Sequence, residues 1–161
     1  MHLAPQPPNL DEQGVERGLQ QLRAVTHEKG LKNSAVREAV ARAALSRTGH
    51  FSVEDLAADL KQGGPKKPHS ATVYRVLPIL VEAGLVQETL VTRGEGTFYE
   101  RAFEREHHDH LICTSCGTVV EFHSEAIETL QNDLAVAFGF RLTDHVHELL
   151  GLCSDCDGRS S

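Results

Sequence analysis

Residues 69–86 read HSATVYRVLPILVEAGLV, and residues 87–100 continue QETLVTRGEGTFYE. In the first stretch Val73, Val76, Leu77, Leu80 and Val81 recur at the three-and-four spacing of one helix face, which predicts a helix from Ser70 to about Ala83. Pro78 lies inside it and should kink the helix or cost one backbone bond. Beyond Gly84, VQETLVT and TFYE alternate as strands around Arg93-Gly94-Glu95-Gly96, a hairpin turn. A helix closed by one small hairpin sets the frame for everything on its N-terminal side.

Three further helices precede it. Val15, Leu19, Leu22 and Val25 fall at helical spacing between Gly14 and Lys29, with Gly30 as a stop. Ser34 caps a second run in which Val36, Val40, Ala44 and Leu45 form an apolar face and Glu38 and Arg42 an outer i,i+4 pair. Ser52 and Asp55 open a third helix as a capping box, followed by Leu56 and Leu60 and the turn-rich QGGPKKP. Residues 1–13 are Pro-rich and polar and read as a disordered arm. Helices followed by a hairpin describe a winged helix-turn-helix over 14–100, with 101–106 as a hinge.

The pattern changes after Glu106. HDHLIC, TVVEF and RLTDHVHELLGLC read as strands around one helix from about Ser124 to Phe138, a small α/β domain over 107–161. The fold class is therefore α+β. Charge divides along the same line: residues 1–100 carry 12 Lys and Arg against 12 Asp and Glu, and residues 101–161 carry 4 against 11. The acidic part also holds six of the ten histidines and all four cysteines, the composition of a cation-binding end. No apolar stretch approaches the ~20 residues of a membrane helix, and the first residues lack the pattern of a signal peptide, so the cytoplasm is expected.

Two thiol pairs carry the most specific chemistry. Cys113-x2-Cys116 and Cys153-x2-Cys156 each let two thiolates grip one tetrahedral ion, and four thiolates make a closed structural zinc site. The 36 intervening residues imply that the ion ties the first strands of this domain to its C-terminal end. Just before Cys113 stands His107-His108-Asp109-His110. On a strand, His107 and Asp109 point to one face and His108 and His110 to the other, so the four donors feed two separate sites. Glu125, Glu128, His145 and His147 offer further donors, and periodicity alone leaves open which of them close each site.

The segment Leu60–Val81 contains Lys61, Lys66, Lys67 and Arg75 and no acidic residue. An acid-free run that includes the second helix of a helix-turn-helix is a DNA face.

SATVYRVL, HHDHLICTSCGTVVEF and LCSDC, in this order and with these separations, resemble the ferric uptake regulator family over about residues 14–156. The resemblance implies a homodimeric, DNA-binding repressor whose metal occupancy sets the angle between two DNA-reading domains. It puts the regulatory hinge site on His50, Glu100, His108 and His110, with Glu121 as an added carboxylate, and the accessory site on His107, Asp109, Glu128 and His145. It further implies Tyr74 and Arg75 as major-groove and phosphate contacts and Lys32 as a minor-groove contact on A·T-rich inverted repeats.

With all four cysteines committed to zinc, the hinge offers imidazole and carboxylate, which suits Fe²⁺ first and Mn²⁺ second. Zinc sensors of the family usually spend a further Cys at the hinge, and peroxide sensors usually have Asp where Glu100 and Glu121 stand. A zinc hydrolase would need an open metal position and a placed general base such as HExxH, which the sequence lacks. A zinc-stapled module that binds only protein is the other competing class.

Overall fold

The computed structural model describes residues 2–3, 8–62, 70–89 and 97–158. The chain divides into two compact units, one spanning 7–105 and the other 1–6 with 106–161. Elements are numbered in chain order, so β1 (His2–Leu3) belongs to the second unit.

The first unit contains α1 (Glu12–Glu28), α2 (Ala35–Leu45), β2 (Phe51–Ser52), α3 (Val53–Gln62), α4 (Ser70–Glu82), β3 (Val86–Thr89) and β4 (Phe98–Arg101). The strands form one antiparallel sheet in the order β2-β4-β3. The loop 63–69 and the hairpin turn expected at 93–96 lie outside the described residues. Capping fixes the helix starts. The Asp11 side chain accepts from Gly14 N at 2.7 Å, which begins α1 ahead of the expected Gly14. Ser34 accepts from Arg37 N. Ser52 and Asp55 form the reciprocal box, Asp55 N donating to Ser52 Oγ at 3.1 Å and Ser52 N to Asp55 Oδ2 at 2.9 Å.

The apolar faces of the four helices meet in one core that includes Leu19, Leu22, Val40, Leu45, Leu56 and Leu77. Two expected core residues are not in it: Val36 and Val81 lie at the edges of their helices' buried faces and are exposed. The expected Glu38–Arg42 pair gives way to contacts between helices, Arg23 on Glu38 at 2.9 Å and Arg42 on Glu12 at 2.8 Å. Leu77 and Leu80 of α4 are fully buried, and truncating either to Ala removes packing on the order of 2–5 kcal/mol. That packing orients the opposite face of α4, where Tyr74 and Arg75 are exposed.

The disordered arm expected over 1–13 is corrected in its described part. His2–Leu3 pairs with β6 (Val119–His123), Leu10 packs against the helical core, and Asp11 is the α1 cap. Arg101, fully buried, donates to the Pro8 carbonyl at 2.7 Å, so a buried cation that needs acceptors holds this segment in place.

The second unit is a four-stranded sheet in the order β1-β6-β5-β7, with β5 (Asp109–Cys113) antiparallel to β6 and parallel to β7 (Glu148–Gly151). The parallel pairing requires a crossover, and α5 (Glu125–Ala137) supplies it. The last expected strand is much shorter than RLTDHVHELLGLC. Asp144 Oδ1 accepts from His145 N at 2.9 Å, and His145 and His147 stand ahead of β7, the His147 carbonyl accepting from His110 N at 3.2 Å. A short α6 (Ser154–Asp157) ends the described chain. No described helix is long and apolar enough to cross a membrane.

Candidate metal centres and nucleic-acid face

The four cysteines converge at one end of the second sheet. Between β5 and β6 the chain turns through Gly117, whose φ of 72° is costly for a residue with a Cβ, and Gly117 N donates to Cys113 O at 2.9 Å. The turn puts Cys113 and Cys116 side by side. Parallel pairing of β5 with β7 carries the chain past Gly151 to Cys153, whose N–H donates to Cys113 Sγ at 3.3 Å. All four sulfurs lie within 4.8 Å of one another, and Cys116 and Cys153 are 3.7 Å apart. A tetrahedral ion with sulfurs at ~2.3 Å separates them by about 3.8 Å.

The thiols are also electrostatically uneven. Hydrogen bonds from the backbone of Cys116 and then Cys153 bring the Cys113 thiol down to about 6. Cys156, although favoured as a thiolate by Ser115, is pushed up to about 12 by hydrogen bonding with Cys153, Cys116 and Cys113. Four thiolates this close need a cation, and the donor set fits zinc.

A second cluster is built where the start of β5 meets α5 and the segment before β7. His107 Nε2 lies 3.3 Å from Asp109 Oδ1 and 3.3 Å from Glu128 Oε1, and His145 Nε2 lies 3.5 Å from the same Glu128 oxygen. The His107 and His145 rings are 4.2 Å apart, and all four donor atoms fall within 4.8 Å. Both oxygens of Asp109, Oε1 of Glu128 and Nε2 of His145 are buried and make no hydrogen bond. Buried polar atoms without partners are costly, and a divalent ion taking two nitrogens and two oxygens would satisfy them.

The five residues expected at the hinge fall on both units. On the first, Glu100 of β4 is fully buried and His50 Nε2 is 3.6 Å from its Oε2. Gln87 Nε2 donates to Glu100 Oε1 at 2.6 Å, and Arg105 grips Oε2. On the second, the rings of His108 and His110 are 4.9 Å apart, and His110 stands directly opposite Glu121 in the β5–β6 register. All three are buried. His108 Nδ1 is 3.1 Å from the Glu106 carbonyl, an acceptor that places the ring proton on Nδ1. β5 begins at Asp109, so the alternation expected of a strand over the whole HHDH run applies only from Asp109 onward; His107 and Asp109 share the second cluster, and the His108 and His110 rings meet edge-on.

The residues expected to contact DNA are accessible. Tyr74 is 54% exposed, Arg75 is exposed beside it, and Lys32 is exposed in the α1–α2 connection. Lys66 and Lys67 lie outside the described residues.

The description of the ferric uptake regulator family matches residues 28–150. The chain belongs to the ferric uptake regulator family. The ferric uptake regulation protein of Campylobacter jejuni is 36% identical over 145 residues, covering 89% of this chain and 90% of that protein. The solved Helicobacter pylori ferric uptake regulator, described as having three functional metal binding sites, superposes with a TM-score of 0.76 at 32% identity, covering 94% and 97% of the two chains. A zinc uptake regulator complexed with zinc and DNA superposes with a TM-score of 0.54 at 29% identity, covering 90% and 96%. These are transcription regulators, not enzymes, which removes the hydrolase class.

Sequence reasoning missed Arg105 and Gln87 on Glu100, and Glu148, whose Oε1 is 3.9 Å from His110 Nδ1. Only Glu148 carried a signal, as the acidic residue immediately after His145-Val146-His147. It left His147 without a role, although His147 Nδ1 lies 3.5 Å from Asp109 Oδ2.

Proposed function

We propose that this family member is a homodimeric, metal-responsive repressor of iron homeostasis that binds A·T-rich inverted-repeat operators in the cytoplasm. The observation that carries this reading is the separation of donors: four thiols gathered in one cluster, and only imidazoles and carboxylates left for the other sites. Cys113, Cys116, Cys153 and Cys156 would hold the structural zinc. His107, Asp109, Glu128 and His145 would form the accessory site.

His50 and Glu100 of the first unit, with His108, His110 and Glu121 of the second, would hold the sensed ion. What that ion supplies is a link between two bodies, favouring the angle at which both α4 helices enter successive major grooves. A thiolate-free set of imidazoles and carboxylates favours Fe²⁺ first and Mn²⁺ second. Tyr74, Arg75 and Lys32 would make the DNA contacts.

The exposed apolar surface of the second unit supports the dimer. No residue of α5 is fully buried, and Leu130, Leu134, Phe138 and Phe140 are all more than half exposed. A small sheet domain with this much uncovered apolar surface needs a second copy against it. Mobility shift of A·T-rich inverted-repeat DNA across buffered free Fe²⁺, Mn²⁺ and Zn²⁺ tests the reading. Binding that tightens as free Fe²⁺ or Mn²⁺ rises supports it, and binding indifferent to all three ions overturns it.

A further inference from the structure

Asp109 is 1% exposed, and neither of its oxygens makes a hydrogen bond. Two imidazoles face it from opposite sides. His107 Nε2 lies 3.3 Å from Oδ1, on the side of Glu128 and His145, and His147 Nδ1 lies 3.5 Å from Oδ2. The His147 nitrogen is itself buried and without a hydrogen bond. We infer that His147 is a positioning residue of the accessory site, whose Nδ1–H holds Oδ2 of Asp109 so that Oδ1 stays aimed at the ion. The inference rests on the accessory-site reading above.

Three features fix His147 in this role. Its carbonyl accepts from His110 N at 3.2 Å, which anchors its backbone alongside β5. The Phe122 ring, across the ladder from Asp109, meets the His147 ring edge-on at 6.3 Å between centroids and limits its swing. The four converging donors of the accessory cluster are His107, Asp109, Glu128 and His145, and His147 meets that set through the far oxygen of Asp109.

The physical need is plain. A carboxylate that ligates through one oxygen rotates about its last torsion unless the other oxygen is held, and in a buried site no solvent is at hand to hold it. An N–H donor on the second oxygen fixes the rotation and satisfies that oxygen, the usual division of labour between a ligand and its outer partner. The roles are the reverse of the common carboxylate-supported histidine: here the histidine supports the carboxylate.

The test uses the full-length, zinc-loaded protein carrying His108→Ala, which cripples the hinge site, titrated with Co²⁺ and followed by the cobalt visible bands. Adding His147→Ala should weaken Co²⁺ binding about 10–100-fold while leaving band shape and intensity unchanged, because no inner ligand is lost. His147→Asn, which returns an N–H donor near the position of Nδ1, should restore most of the affinity. With Asp109→Ala present, His147→Ala should have no further effect, since no carboxylate remains to be held.

Unchanged affinity in His147→Ala, or failure of His147→Asn to rescue it, overturns the inference while the accessory site stands. Cobalt bands altered by His147→Ala would make His147 a direct ligand and overturn the positioning role. If the His108→Ala parent takes up no Co²⁺ beyond the thiolate site, the accessory reading fails and this inference fails with it.

Discussion

Arg105 grips the same Glu100 oxygen, Oε2, that faces His50 Nε2 at 3.6 Å. Glu100 is fully buried and Arg105 nearly so, so this is a desolvated ion pair among the residues that the first unit is proposed to contribute to the hinge site. A guanidinium and a divalent ion compete for one oxygen. Arg105→Ala should therefore lower stability in chelator by about 3 kcal/mol, the order found when one partner of a buried pair is removed. Saturating Mn²⁺ should restore that loss, giving the variant a larger metal-induced rise in Tm than the parent. Equal rises in both proteins would show that Arg105 and the ion do not share the oxygen.

The thiol cluster makes a prediction about pH. Hydrogen bonds from the Cys116 and Cys153 backbone stabilise the Cys113 thiolate and set its folded value at about 6, below the ordinary thiol near 8.5. A depressed acid group contributes stability that is fully present above its unfolded value and disappears as pH falls through the folded one. Zinc content should hold near one ion per chain at pH 8 and fall as acid protonates the thiolates, with dimer lost in parallel. Cys113→Ser or Cys153→Ser should lose both at neutral pH. A zinc-free dimer of unchanged Tm, seen by metal analysis and sedimentation, would contradict the structural role of the site.

Reading of DNA should divide between two neighbours on α4. Arg75, exposed and cationic, should supply mainly phosphate attraction, so Arg75→Ala should weaken operator and random DNA alike and reduce the salt slope by about one. Tyr74, also exposed, offers a ring to thymine methyls, so Tyr74→Ala should cost about 1–3 kcal/mol on the operator and little on random DNA. Titrations at several salt concentrations on both DNAs separate the two. Parallel losses in both variants would remove the distinction.

The sequence made legible whatever depends on local periodicity or short spacing. The α4 face, the Ser52–Asp55 box and both CxxC knuckles are all set by neighbours within a few residues. What escaped it depends on distant partners. Arg42 looks like a partner for Glu38 four residues away, but helix packing brings Glu12 and Glu16 closer. The N-terminal segment looks structureless because nothing local orders it, whereas Arg101, about ninety residues later, reaches the Pro8 carbonyl. His145 and His147 look alike on a strand; both stand ahead of β7 and meet different neighbours, Glu128 for one and Asp109 for the other.

The hinge and accessory sites should separate by function when one ligand of each is removed. His108 and Glu100 belong to the set proposed to join the two units, whereas His107 and Glu128 lie wholly within the second. A ligand can shift an equilibrium only by its differential affinity for the two states, so only donors that span both units can transmit metal occupancy to α4. A coupling of about 1–3 kcal/mol corresponds to roughly 5–150-fold tighter operator binding with metal. His108→Ala or Glu100→Ala should leave a zinc-loaded dimer that binds operator weakly and gains less than about 3-fold on adding Mn²⁺, well short of that range. Glu128→Ala should retain most of the gain, losing instead the thermal protection that accessory metal gives to the second unit. Fluorescence anisotropy on operator DNA with and without Mn²⁺ measures the gain directly. A His108→Ala protein with the full parental gain, beside a Glu128→Ala protein with none, would reverse the assignment and make the accessory cluster the sensor.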